Sequence, residues 1–348
     1  MFDVITIGTA TRDVFLQSPL FRAVVDSHHL KQLGLAGEEQ CFALGSKIEI
    51  EKPVMTVGGG AANAAVTFAR QGFVTGAVFK IGDDYVGTQA VAALKREGIK
   101  TVPITDVKKG TAWSCILLSP SGERTILNYR GASEDITKND IAKAHLKTRA
   151  AFFVPGRIPF SVLAPLVRSL NEQKAVLVMT PSSYYLGLGA KKLAPMLKAL
   201  DIVVMNREEA AFLTGIPRHN EAAIFKKLDA LVEGIAVMTD GKNGVMVSDG
   251  KNLFHAGVYR GKKVVDRTGA GDAFASGFLA SLLSRVKPAD IKKRTIAMTE
   301  YVRAMQFASA NATSVVEHIG AEPGILKKGE FEKQNRWRRL VIKHRTIL

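Results

Sequence analysis

The chain has 348 residues, 47% of them apolar, and a mean hydropathy of +0.08, which allows a large buried core and excludes a mostly disordered chain. No run of 18 apolar residues occurs, so we expect no membrane span, and two cysteines, Cys41 and Cys115, are too few for a disulfide framework. The net charge of +16 favours anionic ligands, from nucleotides to nucleic acids. The first residues resemble a buried strand rather than a basic leader, so we expect a cytoplasmic protein.

Short β-branched apolar runs alternate with amphipathic segments through most of the chain. The runs predict strands at 4–8, 75–82, 151–156, 175–180, 202–206 and 234–241. The segments between them predict helices at 61–71, 85–97, 160–172, 190–199, 207–214 and 220–233, followed by a mainly helical stretch from 270 to about 310. Because apolar strands that alternate with helices are typical of a sheet covered on both faces, we expect an α/β fold with a mostly parallel central sheet.

Three stretches interrupt this alternation and predict a small separate sheet: 12–18, 40–56 and 111–130. The last of them predicts a hairpin, because two strand-like runs flank the turn residues Ser121 and Gly122. Such strands are candidates for a lid beside the main sheet.

The C-terminal residues, 327–348, carry eight Lys and Arg residues against two Glu residues. We interpret them as a basic tail that follows a domain of residues 1–326. A basic tail can bind nucleic acid, but the sequence shows no helix-turn-helix, zinc-finger or RNP-like motif. We therefore expect no nucleic-acid partner, and nucleic-acid binding stays a distant alternative.

The segment "DRTGAGDAFASGF" (266–278) places Gly269 and Gly271 directly before a predicted helix. Backbone amides in such a turn can converge on an anion, and the helix N-terminus adds partial positive charge. An ionised Asp272 would repel a bound phosphate, but it could accept the proton of a hydroxyl that attacks that phosphate. From these residues alone, a helix cap or first-turn acid is an equal alternative for Asp272.

A second Gly-rich turn, "VGGGAANAAVTFARQG" (57–72), also precedes a predicted helix. It does not match G-x-G-x-x-G, because Asn63 stands where the third glycine is required, so a dinucleotide site is disfavoured. Close backbone approach to a polyhydroxy ligand, with Asn63 as donor and acceptor, fits better. A tight strand-to-helix turn that Asn63 caps is the alternative.

Polar residues follow two further predicted strands. Asn206 ends one strand, and Glu208 and Glu209 begin the next helix, where they could hold Mg²⁺ or its waters near phosphates. Acidic residues in a first turn also interact with the helix dipole, which is the simpler alternative. Thr239 ends the other strand and the chain turns at Gly241, which offers a hydroxyl and bare backbone at the same edge.

In this order and spacing, the four segments resemble the PfkB, or ribokinase-like, family of small-molecule kinases. The resemblance extends over residues 3–325 and includes two further stretches, "IGDDYVG" (81–87) and "YRGA" (129–132). It implies a ribokinase-like three-layer α/β/α fold with a central mostly parallel sheet and a small β-sheet lid, and it implies ATP and Mg²⁺ as cofactors. In several relatives the lid also pairs two subunits, which leaves a homodimer through the lid open here.

The resemblance also implies roles for residues at matching positions. Asp272 would be the general base that deprotonates the attacking hydroxyl. The anion hole would consist of the three residues before it: Gly269, Ala270 and Gly271. The nucleotide side would consist of polar and small residues: Asn206, Thr239, Gly241, Thr268 and Asn311. Asn206 and Glu209 would organise Mg²⁺ through water, Asn311 would close the adenine pocket, and Asp266 marks a monovalent-cation site, such as K⁺, in many members.

On the substrate side, the resemblance implies that Asp13 binds sugar hydroxyls together with Gly59, Gly60 and Asn63. Ribokinases typically carry a lysine where Gly60 stands, which puts ribose itself in doubt. Arg130 would reach an acidic or phosphorylated substrate, or else it is a solvated lid residue.

We therefore predict an ATP-dependent kinase that phosphorylates a hydroxyl of a small sugar or sugar-like molecule. The segment 17–55 is long, and its part 21–40 predicts an inserted helix. Because adenosine kinases and related enzymes also have extended segments there, a nucleoside kinase is the main alternative. A non-catalytic binding protein on this scaffold is disfavoured, because Asp272 and its neighbouring glycines are present.

Overall fold

The structure, a computed structural model, describes residues 1–21, 23–24, 39–120, 122–142 and 146–346. Its strands, in chain order, are β1 (Phe2–Gly8), β2 (Thr11–Gln17), β3 (Ala23–Val24), β4 (Glu39–Gln40), β5 (Val54–Gly58), β6 (Thr75–Gly82), β7 (Lys100–Asp106), β8 (Trp113–Leu118), β9 (Arg124–Tyr129), β10 (Thr148–Val154), β11 (Val176–Met179), β12 (Ile202–Asn206), β13 (Ile235–Thr239), β14 (Val245–Ser248), β15 (Asn252–Ala256) and β16 (Ile342–Thr346). Its helices are α1 (Gly60–Arg70), α2 (Tyr85–Arg96), α3 (Lys138–Ala142), α4 (Phe160–Glu172), α5 (Ser183–Leu186), α6 (Ala190–Lys198), α7 (Arg207–Thr214), α8 (Glu221–Leu231), α9 (Ala270–Arg285), α10 (Pro288–Lys293), α11 (Met298–Val316) and α12 (Glu330–Lys333). None of the helices in these ranges is both long and apolar enough to cross a membrane.

Ten strands of the described residues form one central sheet, in the order β16-β15-β14-β13-β12-β11-β10-β1-β6-β7. The strands from β13 to β7 run parallel to their neighbours, and β14, β15 and β16 add an antiparallel edge. This arrangement confirms the predicted mostly parallel sheet. β6 and β12 have the predicted bounds, and the other predicted strands differ from the observed ones only at their ends.

Apolar side chains on both faces bury the central sheet between two layers of helices. In β11, Val176 and Val178 face one layer, whereas Leu177 and Met179 face the other, as the two-residue period of a strand requires. The first layer contains α1, α9 and α11, and the second contains α4, α6, α7 and α8. These layers confirm the three-layer α/β/α fold.

A second, smaller sheet has the strand order β5-β2-β8-β9. β2 and the hairpin β8–β9 confirm the strands predicted within 12–18 and 111–130. Within the predicted stretch 40–56, residues 41–53 form no strand and are mostly exposed, so only β5 joins this sheet. The helix predicted within 21–40 falls mainly on residues outside the described ranges.

The C-terminal residues predicted as a basic tail pack against the domain as far as residue 346. β16 extends the central sheet by pairing antiparallel with β15. The Trp337 side chain is 1% exposed, and its backbone carbonyl accepts a 2.6 Å hydrogen bond from Tyr259 Oη. Arg336 pairs with Glu317 at 2.9 Å and lies over the Trp337 ring. A domain boundary at residue 326 would therefore cut through packing contacts of the core. Apolar residues between the charged ones anchor this segment to the rest of the domain.

The carboxyl ends of β1 and β10 mark a switch point of the sheet. From β1 the chain proceeds to β6 and β7 on one side, whereas from β10 it proceeds to β11, β12 and β13 on the other. Ligands in open parallel sheets bind in the crevice at such a point. Gly8 lies there against Val154, and a Cβ on Gly8 would come 1.9 Å from the Val154 carbonyl oxygen, so only glycine fits.

Candidate active site

The turn before α9 presents backbone amides at a helix N-terminus. Gly269 has a φ of 76°, and a Cβ there would lie 2.3 Å from the Ala321 side chain, so this turn requires glycine. A Cβ on Gly271 would meet nothing within 4 Å, so the first turn of α9 faces open space. Because the first N–H groups of a helix have no intrahelical partner, this turn can bind an anion. We call Gly269, Ala270 and Gly271 the anion-binding turn.

Asp272 is the third residue of α9, and Asn63 from α1 donates a 2.9 Å hydrogen bond to its Oδ2. Burial raises the pKa of the Asp272 carboxyl, the hydrogen bond from Asn63 lowers it, and the charge of Asp13 raises it again. The N-cap position belongs to Gly269, and no side chain caps α9. The N-cap alternative for Asp272 is therefore wrong, although the residue does lie in the first turn.

Asp13 lies on β2 and is 6% exposed. Thr11 Oγ1 donates a 2.9 Å hydrogen bond to Asp13 Oδ1. Gly58 on the paired strand β5 leaves room for this carboxylate, because a Cβ there would come 1.9 Å from Asp13 Oδ2. Burial raises the pKa of Asp13, hydrogen bonds from Thr11 and Ser114 lower it, and the nearby Asp266 charge raises it. A largely buried carboxylate of this kind is suited to accept hydrogen bonds from ligand hydroxyls.

The Gly-rich turn before α1 brings backbone close to Asp272. Gly59 has a φ of 89°, and a Cβ there would lie 2.6 Å from the Thr9 carbonyl oxygen. A Cβ on Gly60 would lie 3.1 Å from Asp272 Oδ1 and 2.2 Å from the Val154 side chain. A lysine of the kind that ribokinases typically carry therefore does not fit at Gly60 unless its neighbours move.

The Asn63 side chain connects the two Gly-rich segments. It is 5% exposed, and its Nδ2 is engaged by Asp272, whereas its buried Oδ1 has no hydrogen-bond partner in the described part of the chain. Because a buried acceptor without a donor costs free energy, Oδ1 is a candidate partner for a ligand hydroxyl. The N-cap of α1 is Gly59 and no side chain caps it, so the alternative in which Asn63 only caps this helix is wrong.

Asn206 and Glu209 form a reciprocal capping box at the start of α7. Asn206 Oδ1 accepts from the Glu209 amide and Glu209 Oε2 accepts from the Asn206 amide, both at 2.8 Å. Burial raises the pKa of the Glu209 carboxyl, and the hydrogen bond from the Asn206 amide lowers it. The charges of Glu208 and Asp272 raise it further, which indicates that Glu209 lies near the anion-binding turn.

The donor set around Glu209 fits a water-bound Mg²⁺ better than a directly held one. In the described ranges, no three His, Cys, Asp or Glu side chains converge to hold a metal ion. The capping box uses Asn206 Oδ1 and Glu209 Oε2, which leaves Glu209 Oε1 to bind a metal-bound water. Mg²⁺ usually keeps several waters and binds one or two carboxylates plus substrate phosphates. The helix-dipole and metal interpretations are therefore compatible.

Thr239 lies beside Asn206, because β12 and β13 pair in that register. Arg207 Nε lies 2.9 Å from Asp240 Oδ2, which ties the turn after β13 to the start of α7. Gly241 has a φ of 50°, and a Cβ there would meet nothing within 4 Å. Arg207 and Asp240 are not among the predicted site residues, although each directly follows one of them.

Comparison with known proteins identifies the family to which this arrangement belongs. The match to the family described as "pfkB family carbohydrate kinase" spans residues 34–328. The chain belongs to the pfkB family of carbohydrate kinases. It is 27% identical to the ribokinase of Bacillus subtilis (strain 168), over 79% of this chain and 86% of that protein. It is 26% identical to fructokinase-1 of Oryza sativa subsp. japonica, over 79% of this chain and 88% of that protein.

Solved structures agree on the fold of this pfkB-family chain. The structure of Arabidopsis thaliana ribokinase complexed with ribose and ATP matches with a TM-score of 0.70 and 18% identity, over 94% of this chain and 96% of that chain. Carbohydrate kinases transfer a phosphoryl group to an alcohol. The chain is thus a phosphotransferase with an alcohol group as acceptor.

Asp266, the predicted cation ligand of this family member, orders the loop that leads to the anion-binding turn. Its side chain is completely buried, and Oδ1 accepts hydrogen bonds from Thr268 N at 2.9 Å and Thr268 Oγ1 at 2.7 Å. Oδ2 accepts a 3.0 Å hydrogen bond from Gly320 N. Three protein donors leave little acceptor capacity for a K⁺ ion, and the monovalent-cation site stays a prediction from the sequence.

Asn311 does not lie on an open nucleotide site. Its side chain is completely buried in α11, Nδ2 donates to the Ala273 carbonyl at 2.9 Å, and Oδ1 accepts from Leu326 N at 2.9 Å. Both polar groups are engaged by protein, so no atom of this amide is left for adenine. The predicted adenine-pocket role is therefore corrected to a structural one that joins α9, α11 and the segment after them.

Arg130 follows the lid strand β9, and its side chain is 44% exposed. Glu134 Oε1 lies 3.4 Å from Arg130 Nε and 3.5 Å from Arg157 Nη1. Two guanidinium groups thus share one carboxylate, which leaves a net positive charge beyond the carboxyl end of β10. Arg157 is not among the predicted site residues, although it directly follows a predicted strand, which is the kind of signal that identified Asn206.

Proposed function

We propose that this pfkB-family enzyme is an ATP-dependent kinase that transfers the γ-phosphate of ATP to a hydroxyl of a small sugar or sugar-like molecule. The observation that carries this proposal is the Asn63–Asp272 hydrogen bond, because it joins the substrate motif of α1 to the anion-binding turn of α9. The names of the ribokinase and fructokinase relatives support a sugar acceptor. The ribokinase complexed with ribose and ATP supports ATP as the donor.

Asp272 acts as the general base in this proposal. It accepts the proton of the substrate hydroxyl as that oxygen attacks the γ-phosphate. Burial raises the pKa of Asp272, which makes it a stronger base than an exposed aspartate. The hydrogen bond from Asn63 opposes this rise in pKa and favours the ionised form that a general base requires.

The backbone amides of Gly269, Ala270 and Gly271 form the anion hole for the transferred phosphoryl group. Open space in front of Gly271 supports this role. The nucleotide is held on the other side of that group by residues at the ends of β12 and β13 and in the loop before α9: Asn206, Thr239, Gly241 and Thr268. Glu209 would hold Mg²⁺ through water with its remaining Oε1, Asn206 would orient that carboxylate through the capping box, and the ion would supply positive charge to the phosphates.

Asp13 and Asn63 bind the hydroxyls of the acceptor in this proposal. The buried carboxylate of Asp13 and the unpaired Oδ1 of Asn63 support it. Gly59 and Gly60 let the acceptor approach the backbone closely. Arg130 contacts an acidic or phosphorylated group of the acceptor, which the positive charge at that rim supports.

A second copy of the chain is the proposed partner of the lid. The small sheet exposes apolar side chains that a soluble monomer would leave in water, with Met55 at 57% and Leu127 at 55% exposure. A homodimer measured by light scattering, and lost on Leu127→Asp, would support pairing through the lid. A monomer at all concentrations would contradict it.

A coupled ADP-release assay tests the proposed reaction directly. Purified enzyme with Mg-ATP would be offered neutral sugars, sugar acids, sugar phosphates and nucleosides, with enzyme plus Mg-ATP alone as the hydrolysis control. Release that depends on a sugar or sugar derivative supports the proposal. Release with nucleosides alone favours a nucleoside kinase instead, and no acceptor-dependent release with any class contradicts kinase activity.

A further inference from the structure

The turn of the lid hairpin reaches the loop that leads to the anion-binding turn. Glu123 lies between β8 and β9, and its Oε1 lies 2.5 Å from Nη1 of Arg267. The two side chains are 53% and 56% exposed, respectively. This ion pair connects the small sheet to the residue directly before Thr268.

Backbone packing supports the same contact independently of the charges. Gly122 has a φ of 83°, and a Cβ there would lie 3.4 Å from the Val264 carbonyl oxygen and 3.5 Å from the Val265 carbonyl oxygen. The hairpin turn therefore lies close to the segment that precedes Arg267, with room between them for little more than a methyl group.

Backbone hydrogen bonds to the end of α11 hold the loop that carries Arg267 in place. Val265 N and Asp266 N both donate to the Val316 carbonyl at the end of α11. The Asp266 carboxylate holds the Thr268 amide at 2.9 Å. Because the flanking residues are anchored in this way, the main fold fixes the position of the Arg267 backbone, from which its exposed side chain reaches Glu123 on the lid.

The opposite end of the hairpin is anchored as well. The Asp84 carboxylate accepts hydrogen bonds from Thr111 N at 2.7 Å and Thr111 Oγ1 at 2.6 Å. Thr111 precedes β8, so one end of this strand is tied firmly to the N-terminus of α2. The far end meets the main fold through the exposed Glu123–Arg267 pair, which can open at small cost, and Gly122 lies close beside it.

We propose that Arg267 and Glu123 form a latch that positions the lid hairpin over the anion-binding turn. Both are positioning residues, since neither acts on the reacting atoms. The consequence for catalysis rests on the proposed kinase function, because a closed lid excludes water from the phosphoryl transfer and an open one exchanges ligands. The latch itself is a property of the free protein.

Hydrogen exchange of the ligand-free protein tests the latch. We expect Arg267→Ala and Glu123→Ala each to speed exchange of the β8 and β9 amides by about two- to fivefold, the range that loss of an exposed ion pair allows. The double variant should exchange no faster than either single variant. The charge-exchanged variant E123R/R267E should restore slow exchange, which a role in folding alone would not predict.

Lys198→Ala is the matched control, because Lys198 and Glu233 form a similarly exposed pair, at 52% and 65%, near the amino ends of β12 and β13. It should leave exchange in β8 and β9 unchanged. Unchanged exchange in the Arg267 and Glu123 variants, or no rescue by charge exchange, would overturn the proposal. A latch seen by exchange in a protein without acceptor-dependent ADP release would sustain the latch and refute only the proposed kinase activity.

Discussion

Asn63 and Asp272 are 209 positions apart in the sequence, yet Asn63 Nδ2 lies 2.9 Å from Asp272 Oδ2. One residue belongs to the first turn of α1 and the other to the first turn of α9. The contact orients the carboxylate that we propose as the general base, and it stabilises that carboxylate's ionised form. A neutral hydrogen-bond donor suits this task, because a cation would lower the pKa of Asp272 and weaken it as a base.

We expect Asn63→Ala to shift the pH dependence of catalysis. In the proposed mechanism activity requires ionised Asp272, so kcat should fall as the pH decreases through the raised pKa of this carboxyl. The hydrogen bond from Asn63 lowers that pKa, so its loss raises the pKa further. The acidic limb of the kcat profile should then move to higher pH by about one unit or more, since a hydrogen bond to a charged group is worth about 1.5–3 kcal/mol. Ser276→Ala is the control, because Ser276 Oγ donates to the Asp272 backbone carbonyl and not to the carboxylate. An acidic limb that stays in place in Asn63→Ala would count against the assigned base.

Glu322 gives a prediction about stability. Burial raises the pKa of its carboxyl to about 7, the charge of Glu97 adds to this rise, and Arg70 opposes it. Its Oε1 is buried without a hydrogen-bond partner in the described residues. Since the folded-state pKa lies above the ordinary value of 4.5, the stabilising contribution is complete below pH 4.5 and is lost as the pH rises through about 7.

Glu322→Gln should therefore raise Tm by a few degrees at pH 8, where the wild-type carboxylate is charged and poorly solvated. At pH 5 the two proteins should melt at nearly the same temperature, which provides the internal control. Thermal unfolding followed by circular dichroism measures both. A variant that is equally or less stable at pH 8 would show that the carboxylate is compensated by groups other than Arg70.

Trp337→Ala should destabilise the protein by about 3–5 kcal/mol, the usual cost of truncating a large buried aromatic residue. The reason is that Trp337 packs in the core beneath the C-terminal strand β16. Urea unfolding measures the change, and Arg338→Ala is the control, because Arg338 is exposed and its loss removes only charge. A loss below about 1 kcal/mol for Trp337→Ala would mean that this segment behaves as the separate tail that its charge suggests.

The sequence predicts features that depend on local patterns. The bounds of α7 and its start at Asn206 follow from an apolar strand that ends at a capping residue, and the structure shows the capping box itself. The parallel sheet and its two helical layers follow from apolar runs and their spacing. The positions of the two Gly-rich turns also follow from the sequence, and the resemblance to a known family adds the roles predicted for them.

Features that depend on tertiary packing are not visible in the sequence. Asn311 occupies a position that the resemblance assigns to the nucleotide site, but its burial and its bonds to Ala273 and Leu326 exist only in the folded chain. The many charged residues of the C-terminal segment predict an exposed tail, but Trp337 and Leu340 are buried. The three-residue spacing of these two side chains is only a weak sequence signal that one side of the segment packs against the domain. The Glu123–Arg267 pair joins segments far apart in sequence, and no local pattern indicates it.

The most direct test of the central claim is the single-turnover rate of Asp272→Asn with the best acceptor from the ADP-release screen. The substitution keeps the shape of the side chain and removes its ability to accept the proton. We predict a rate about 10²–10⁴-fold lower than wild type, the usual cost of removing a general base, with ATP affinity nearly unchanged. A rate within a few-fold of wild type, in a variant that binds ATP normally, would contradict the assignment of Asp272 as the catalytic base.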